Sequence, residues 1–289
     1  MVVTIFECIP IEVSLPILAS SLIFLAGLFV NYISTRWKIY RQRKNLRKNV
    51  VVFLEGLIDM LKEYNVGLQK LSTNISNSNT WSIEPFRYVN LPISYLDRFD
   101  VNQVSDALLY GVREYTKHGD LTRHNFYQYH VFIEYIKVAK EHIEKKYDEY
   151  KKNVDDLMAK WVPAWDSLGK NINKYNLMGE ELPGEERNKY KKIHRLIIDI
   201  SMKYPGQGIP LTDSEMFIDN VLGIINDSHG GNWDYLKEIN YTMVRLLYER
   251  KNMNLYGEDF GKYAQNFVTS TAKLEEILNF YKGCKTRLL

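Results

Sequence analysis

The sequence predicts an all-α chain: a single N-terminal transmembrane helix followed by a cytoplasmic helical body with long coiled-coil-like helices. Three observations carry this expectation. Nineteen residues from Leu15 to Ile33 hold no charged side chain. Two later stretches repeat apolar residues at alternating three- and four-residue steps, the period of a helical seam. No segment sustains the two-residue alternation of a half-buried strand.

The first element is the apolar run. At 1.5 Å per helical residue it reaches ~28 Å, close to the hydrocarbon thickness of a bilayer. Arg36, Lys38, Arg41, Arg43, Lys44, Arg47 and Lys48 follow directly, whereas the preceding residues include Glu7 and Glu12 and no Lys or Arg. Dense positive charge on one flank places that flank in the cytoplasm and the N-terminus outside. A cleaved signal peptide would carry its positive charge before the apolar run, not after it. Trp37, with Tyr32 and Tyr40, suits the headgroup level, where an amphipathic ring keeps its tip wet. The expected layout is a short extracytoplasmic tail at 1–14, a transmembrane helix at 15–35, a basic collar and helical stalk at 36–80, and a helical cytoplasmic domain at 81–289. The richness in Asn, Lys and Tyr has the look of an AT-rich bacterial gene, so the expected site is the bacterial inner membrane.

Inside the apolar run, Ala19 and Ala26, and Ser20 and Gly27, repeat at seven residues. Small residues on one stripe let helices approach closely in lipid, which offers a face for homo-oligomers. The stalk beyond shows apolar residues at Leu46, Val50, Phe53, Leu57, Leu61, Tyr64, Leu68, Leu71 and Ile75, a heptad seam with one stutter. Extending its register backwards puts Arg36 and Arg43 on the seam. A parallel homodimer would bury like charges there, so the stalk is expected to pair with another helix of its own chain.

NISNSNTWS then breaks the helix, and residues 81–98, with Pro85 and Pro92, are expected to run extended. Asp100 with Gln103 forms a capping-box pattern opening a helix to about Tyr115. A second long helix is expected from near Thr122 to about Leu177, with its seam at Ile143, Tyr147, Tyr150, Val154, Leu157, Trp161, Ala164 and Leu168. Pro163 should kink or end it. Further helices are expected at about Glu185–Lys203, from a Thr212 or Asp213 cap to about Asp227, at Trp233–Arg250 and at Glu258–Tyr281. YPGQG and SHGGN supply the turn chemistry between them.

The net charge is +3, less than the collar alone, so the body is near neutral and broad nucleic-acid binding is not expected. Anionic lipid headgroups explain the collar better, at about 1 kcal/mol per cation near the surface. The predicted topology places Cys8 and Cys284 on opposite sides of the membrane, so they form neither a disulfide within the chain nor a thiolate metal site. Neither a metal nor a cofactor is expected.

Two octets bear on chemistry. Arg187 to His194 (RNKYKKIH) and Arg123 to His130 (RHNFYQYH) each place Arg and His seven residues apart, on one helix face. Both resemble the Arg-x4–6-His signature of HEPN ribonucleases, an all-α family that usually pairs two copies across a dimer. The resemblance implies a metal-independent reaction in which His serves acid–base chemistry at the ribose 2′-OH and Arg stabilises phosphate charge. Arg113 to His118 fits the same loose spacing. His118, Asp120 and His124 form a short cluster of ligand types near a turn, with no second ligand pair nearby in sequence. PGQG lacks the lysine of a phosphate-binding loop, and HGG at 229–231 has no nucleophile motif to serve.

The sequence thus supports a membrane-anchored, non-enzymatic helical scaffold that binds an unidentified protein partner. Two alternatives stand beside it: an oligomerising membrane-disrupting effector, as in bacterial phage defence, and a membrane-tethered HEPN-like ribonuclease.

Overall fold

A computed structural model describes residues 11–88, 91, 93, 101–110, 112, 119–177, 183–205 and 208–284. Its regular elements are α1 (Ile11–Ser76), α2 (Val101–Ser105) running into a π-helical turn (Asp106–Tyr110), α3 (Gly119–Leu177), α4 (Gly184–Lys203), α5 (Leu211–Ile225), α6 (Gly231–Asn252) and α7 (Leu255–Gly283). No strand occurs among the described residues. The chain is all-α.

The expected helices are present, and two details differ for physical reasons. On α1 the fully buried positions are Val50, Leu54, Leu57, Leu61, Tyr64, Leu68, Leu71 and Ile75. Leu54, and not the half-exposed Phe53, occupies the seam, so the alternation of four and three is unbroken and the stutter disappears. On α3 the helix passes through Pro163 and continues to Leu177. Pro163 is exposed, so its ring faces solvent, while the flanking Trp161 and Leu168 are buried. Packing on that side holds the helix through the lost backbone hydrogen bond. The helix expected to reach about Tyr115 ends, among the described residues, at Tyr110 in the π turn; Asp100 and Tyr115 lie outside those residues.

The chain divides into two units, each considered by itself. The first comprises Met1–Met60, Leu91–Tyr135 and Ser270–Leu289. Its core is supplied by Val50, Leu54 and Leu57 of α1, Leu108 in the π turn, Tyr129 and Ile133 of α3, and Leu274 and Tyr281 of α7. Two ion pairs tie α1 within it. Arg43 grips Asp106 at both carboxylate oxygens, 2.6 Å from Nε and 2.5 Å from Nη2, and Lys282 reaches Glu55 at 2.6 Å.

The second unit comprises Leu61–Asn90 and Ile136–Thr269. Here α7 meets the end of α1 through Tyr64 with Phe267 at 5.5 Å, and meets α3 through Tyr147 with Phe260 at 6.4 Å and Tyr150 with Tyr256 at 5.6 Å. Gly257 permits the close approach of α7 to α1, since a Cβ there would meet Ser76 Oγ, Ser72 O at 2.7 Å and Ser76 N at 2.8 Å. The distal half of α3 packs with α4, α5 and α6 around Trp161, Leu168, Tyr190, Ile193, Val221 and Trp233. Tyr190 stacks on Trp233 at 4.3 Å, and Trp81 of the connector stacks on Trp161 at 4.1 Å.

The connector after α1 is fixed by side chains of other elements. Tyr147 and Tyr150 hydroxyls accept from the backbone N–H groups of Phe86 and Glu84, and the Tyr147 hydroxyl donates to the Glu84 carbonyl. Buried Arg250 donates to Ser78 Oγ and the Ser82 carbonyl. Asn79 caps α5 from a distance in sequence: its carbonyl and Oδ1 accept from the N–H groups of Leu211 and Thr212. The cap expected at Thr212 or Asp213 is therefore supplied by the connector, and Asp213 instead accepts from Tyr204 Oη and Lys203.

Candidate juxtamembrane site

The N-terminal part of α1 is the one helix among the described residues long and apolar enough to cross a membrane, and none of its most apolar stretch is buried by the rest of the chain. Leu22, Ile23, Phe24 and Phe29 stand bare, Ile23 being 74% exposed. An exposed apolar surface of this size is costly in water. Ala19, Ser20, Ala26 and Gly27 are exposed with the rest, and nothing lies within 4 Å of a Cβ added at Gly27. Ser21 is satisfied within the helix, donating to the Ile17 carbonyl at 2.7 Å.

Where the apolar run ends, the rings and cations pair along the helix. Arg36 lies over the Tyr32 ring at 4.9 Å, Arg41 over Trp37 at 5.4 Å, and Trp37 stacks on Tyr40 at 5.6 Å. Such stacking carries a guanidinium across an apolar–polar boundary, since the ring face attracts the cation while its body stays in apolar surroundings. Lys38, Arg41, Lys44 and Lys48 are exposed, and Arg36 and Arg47 are half-buried.

Arg43 is engaged by another element of its own chain. Its side chain is 13% exposed and bound to Asp106. The seam register put a cation at this position. The protein meets it with a carboxylate of its own chain, on the first residue of the π turn. Around this pair lies a cavity of about 500 Å³ lined by Ile39, Gln42, Asn45, Leu46 and Asn49 with Arg43 and Asp106. Arg43 Nη1 is buried with no hydrogen-bond partner. Which acid answers Arg43 is not legible in the sequence, because the partners lie 63 residues apart.

The two Arg/His octets fall in different units. Arg123 is exposed and engaged by Asp120 at 2.9 Å and the Gly119 carbonyl. His130 packs edge-on against Phe126 and Tyr129, at 4.7 and 4.9 Å, with a buried and unpartnered Nε2. Burial holds its pKa below the ordinary imidazole value, against the opposing pull of Glu134. On α4, Arg187 and His194 are half-buried, and Arg187 Nε has no partner. His194 lies beside buried Tyr190 and Ile193. Among the described residues no group of three or more His, Cys, Asp or Glu is arranged to hold a metal ion. His118 lies outside them, while Asp120 and His124 sit exposed at the start of α3.

Searches against protein families, curated proteins and solved structures found no match.

Proposed function

We propose that this chain is a membrane-anchored helical interaction module whose body lies in the cytoplasm and binds a protein partner, without catalytic chemistry of its own. The observation that carries the reading is the continuity of α1. One helix leads from a bare apolar segment, through a collar of paired rings and cations, into the buried seam of the body. Anchor and body then share a single element, so the body is held against the bilayer without a flexible tether. The collar would face anionic headgroups of the inner membrane, and its positive charge sets the N-terminus outside.

The test separates this reading from ribonuclease chemistry. Cells expressing the wild type are expected to keep intact RNA, and His130→Ala and His194→Ala are expected to leave any growth phenotype unchanged. Degraded RNA that is restored by either substitution would overturn the reading.

A second reading draws on the exposed stripe Ala19, Ser20, Ala26 and Gly27, open to a neighbouring helix in lipid. On that reading the chain oligomerises and disturbs the bilayer. Dye release from loaded vesicles, suppressed by Ala26→Leu with Gly27→Leu, would favour it. Tight vesicles with the wild type would remove it.

A further inference from the structure

We infer that the cavity beside the Arg43–Asp106 pair is a binding site for one phospholipid headgroup that carries both a phosphodiester and a primary ammonium, the phosphoethanolamine class. The inference rests on the membrane-anchored reading and deepens it, by naming a ligand for one face of the collar.

Position is the first argument. Counted from Thr35, at 1.5 Å per residue, Ile39 lies ~6 Å and Arg43 ~12 Å beyond the end of the span. A headgroup layer is about 5–8 Å thick on each side of the hydrocarbon. Of the lining residues Ile39 therefore lies at headgroup depth, while Arg43 and the amides lie on the cytoplasmic side of that layer, Asn49 ~21 Å beyond the span.

Chemistry is the second argument. Gln42, Asn45 and Asn49 put three side-chain amides around about 500 Å³ of space, with Ile39 and Leu46 as apolar wall. Arg43 spends Nε and Nη2 on Asp106 and leaves Nη1 buried without a partner. A buried donor left unpaired is costly, and a bound acceptor would relieve that cost. A phosphate oxygen would satisfy it, and the amides would donate to the remaining oxygens. Asp106 also lines the cavity, and its carboxylate would repel a purely anionic ligand. It retains acceptor capacity beyond the two bonds from Arg43 and is 41% exposed, which suits an ammonium. The site is thus dipolar, cationic on Arg43 and anionic on Asp106, and a zwitterion complements both halves. The π turn that begins at Asp106 is the third argument, since such turns are rare and concentrate where a side chain must be re-aimed for function.

The same headgroup chemistry could come from the bilayer or from a soluble phosphodiester, and the lipid is favoured because the Ile39 end of the cavity lies at headgroup depth. The test uses the full chain, stripped of lipid in detergent, with occupancy read by native mass spectrometry. The added lipids are dioleoyl phosphatidylethanolamine, phosphatidylcholine and phosphatidylglycerol, with soluble glycerophosphoethanolamine as a separate arm. Ethanolamine lipid is expected to occupy one site about tenfold more tightly than choline lipid, whose quaternary head cannot donate a hydrogen bond, a factor of ten being the size of one such bond. Asn45→Leu with Asn49→Leu is expected to cut that occupancy about tenfold with the helical circular dichroism unchanged. Asp106→Asn leaves the site net positive, so its preference should pass to phosphatidylglycerol. Equal occupancy by all three lipids, a wild-type preference for phosphatidylglycerol, or an unchanged preference in Asp106→Asn would each overturn the proposal. Binding of the soluble headgroup as tightly as the lipid would overturn the bilayer as its source. Because selectivity is read in detergent, its failure leaves the anchor standing; failure of the anchor shows instead as release from membranes by alkaline carbonate.

Discussion

At the scale of single residues, the body is organised by polar groups placed where burial makes them expensive. Arg250 is fully buried and is among the largest side chains so enclosed. Burial depresses its pKa, with Tyr150 and Glu84 pulling the other way, and its Nε and Nη1 have no partner. An unsatisfied buried cation contributes position more than stability. Arg250→Met, which keeps the volume, is expected to change stability by about 1 kcal/mol or less, whereas Arg250→Ala should cost about 3 kcal/mol through the cavity it leaves. Urea unfolding of the full chain in detergent, followed by circular dichroism, measures both. His130 gives a pH signature. Its folded pKa lies below the ordinary 6.5 because burial disfavours the imidazolium. Both states are neutral above the unfolded pKa, so the contribution is intact there and is lost as pH falls below 6.5 toward the folded value. The melting temperature is expected to fall between pH 7.5 and 5.5 and to fall less in His130→Phe; equal slopes would contradict this.

At the scale of elements, the long helices persist because each buries a heptad stripe. On α7 the stripe is Phe260, Ala264, Phe267, Thr271, Leu274, Leu278 and Tyr281, with Gly257 one turn before it. Gly257→Ala would force a methyl onto Ser72 and Ser76 of α1, backbone atoms included, and is expected to cost about 2–3 kcal/mol as overpacking. Pro163→Ala should act in the opposite direction. It restores a backbone donor on an exposed face of a helix that is already continuous, and is expected to raise stability by about 1–3 kcal/mol. The same urea titration checks both.

Element existence and type were legible because periodicity and turn chemistry agreed along the whole chain. The seam of α3 could be read residue by residue from Ile143 to Leu168, since those positions differ sharply from their charged neighbours. The choice between Phe53 and Leu54 could not be read that way, because both are apolar and only tertiary packing decides which faces inward. Pro163 misled for a related reason: local propensity forbids a mid-helix proline, and packing at Trp161 and Leu168 overrides it. The Asn79 cap and the Asp106 partner of Arg43 were illegible. Each joins residues far apart in sequence through contacts that leave no local pattern. Of the candidate site on α1, the cations and rings were legible and the cavity was not.

At the scale of the whole chain, the apolar part of α1 is left bare by the described residues, and the seam of the same helix is buried by them. That contrast makes the central claim testable without disturbing the fold. Leu25 and Leu28 are exposed, so Leu25→Arg with Leu28→Arg should leave the body folded. Two arginines near the bilayer centre cost about 2.5–3.5 kcal/mol each on the insertion scale, enough to abolish spanning. The decisive measurement is alkaline carbonate extraction of membranes from cells expressing the full chain. The wild type should remain in the pellet, while the double-arginine variant should move to the supernatant with its thermal unfolding unchanged. Wild-type protein released into the supernatant would contradict the anchor and, with it, the function proposed for this chain.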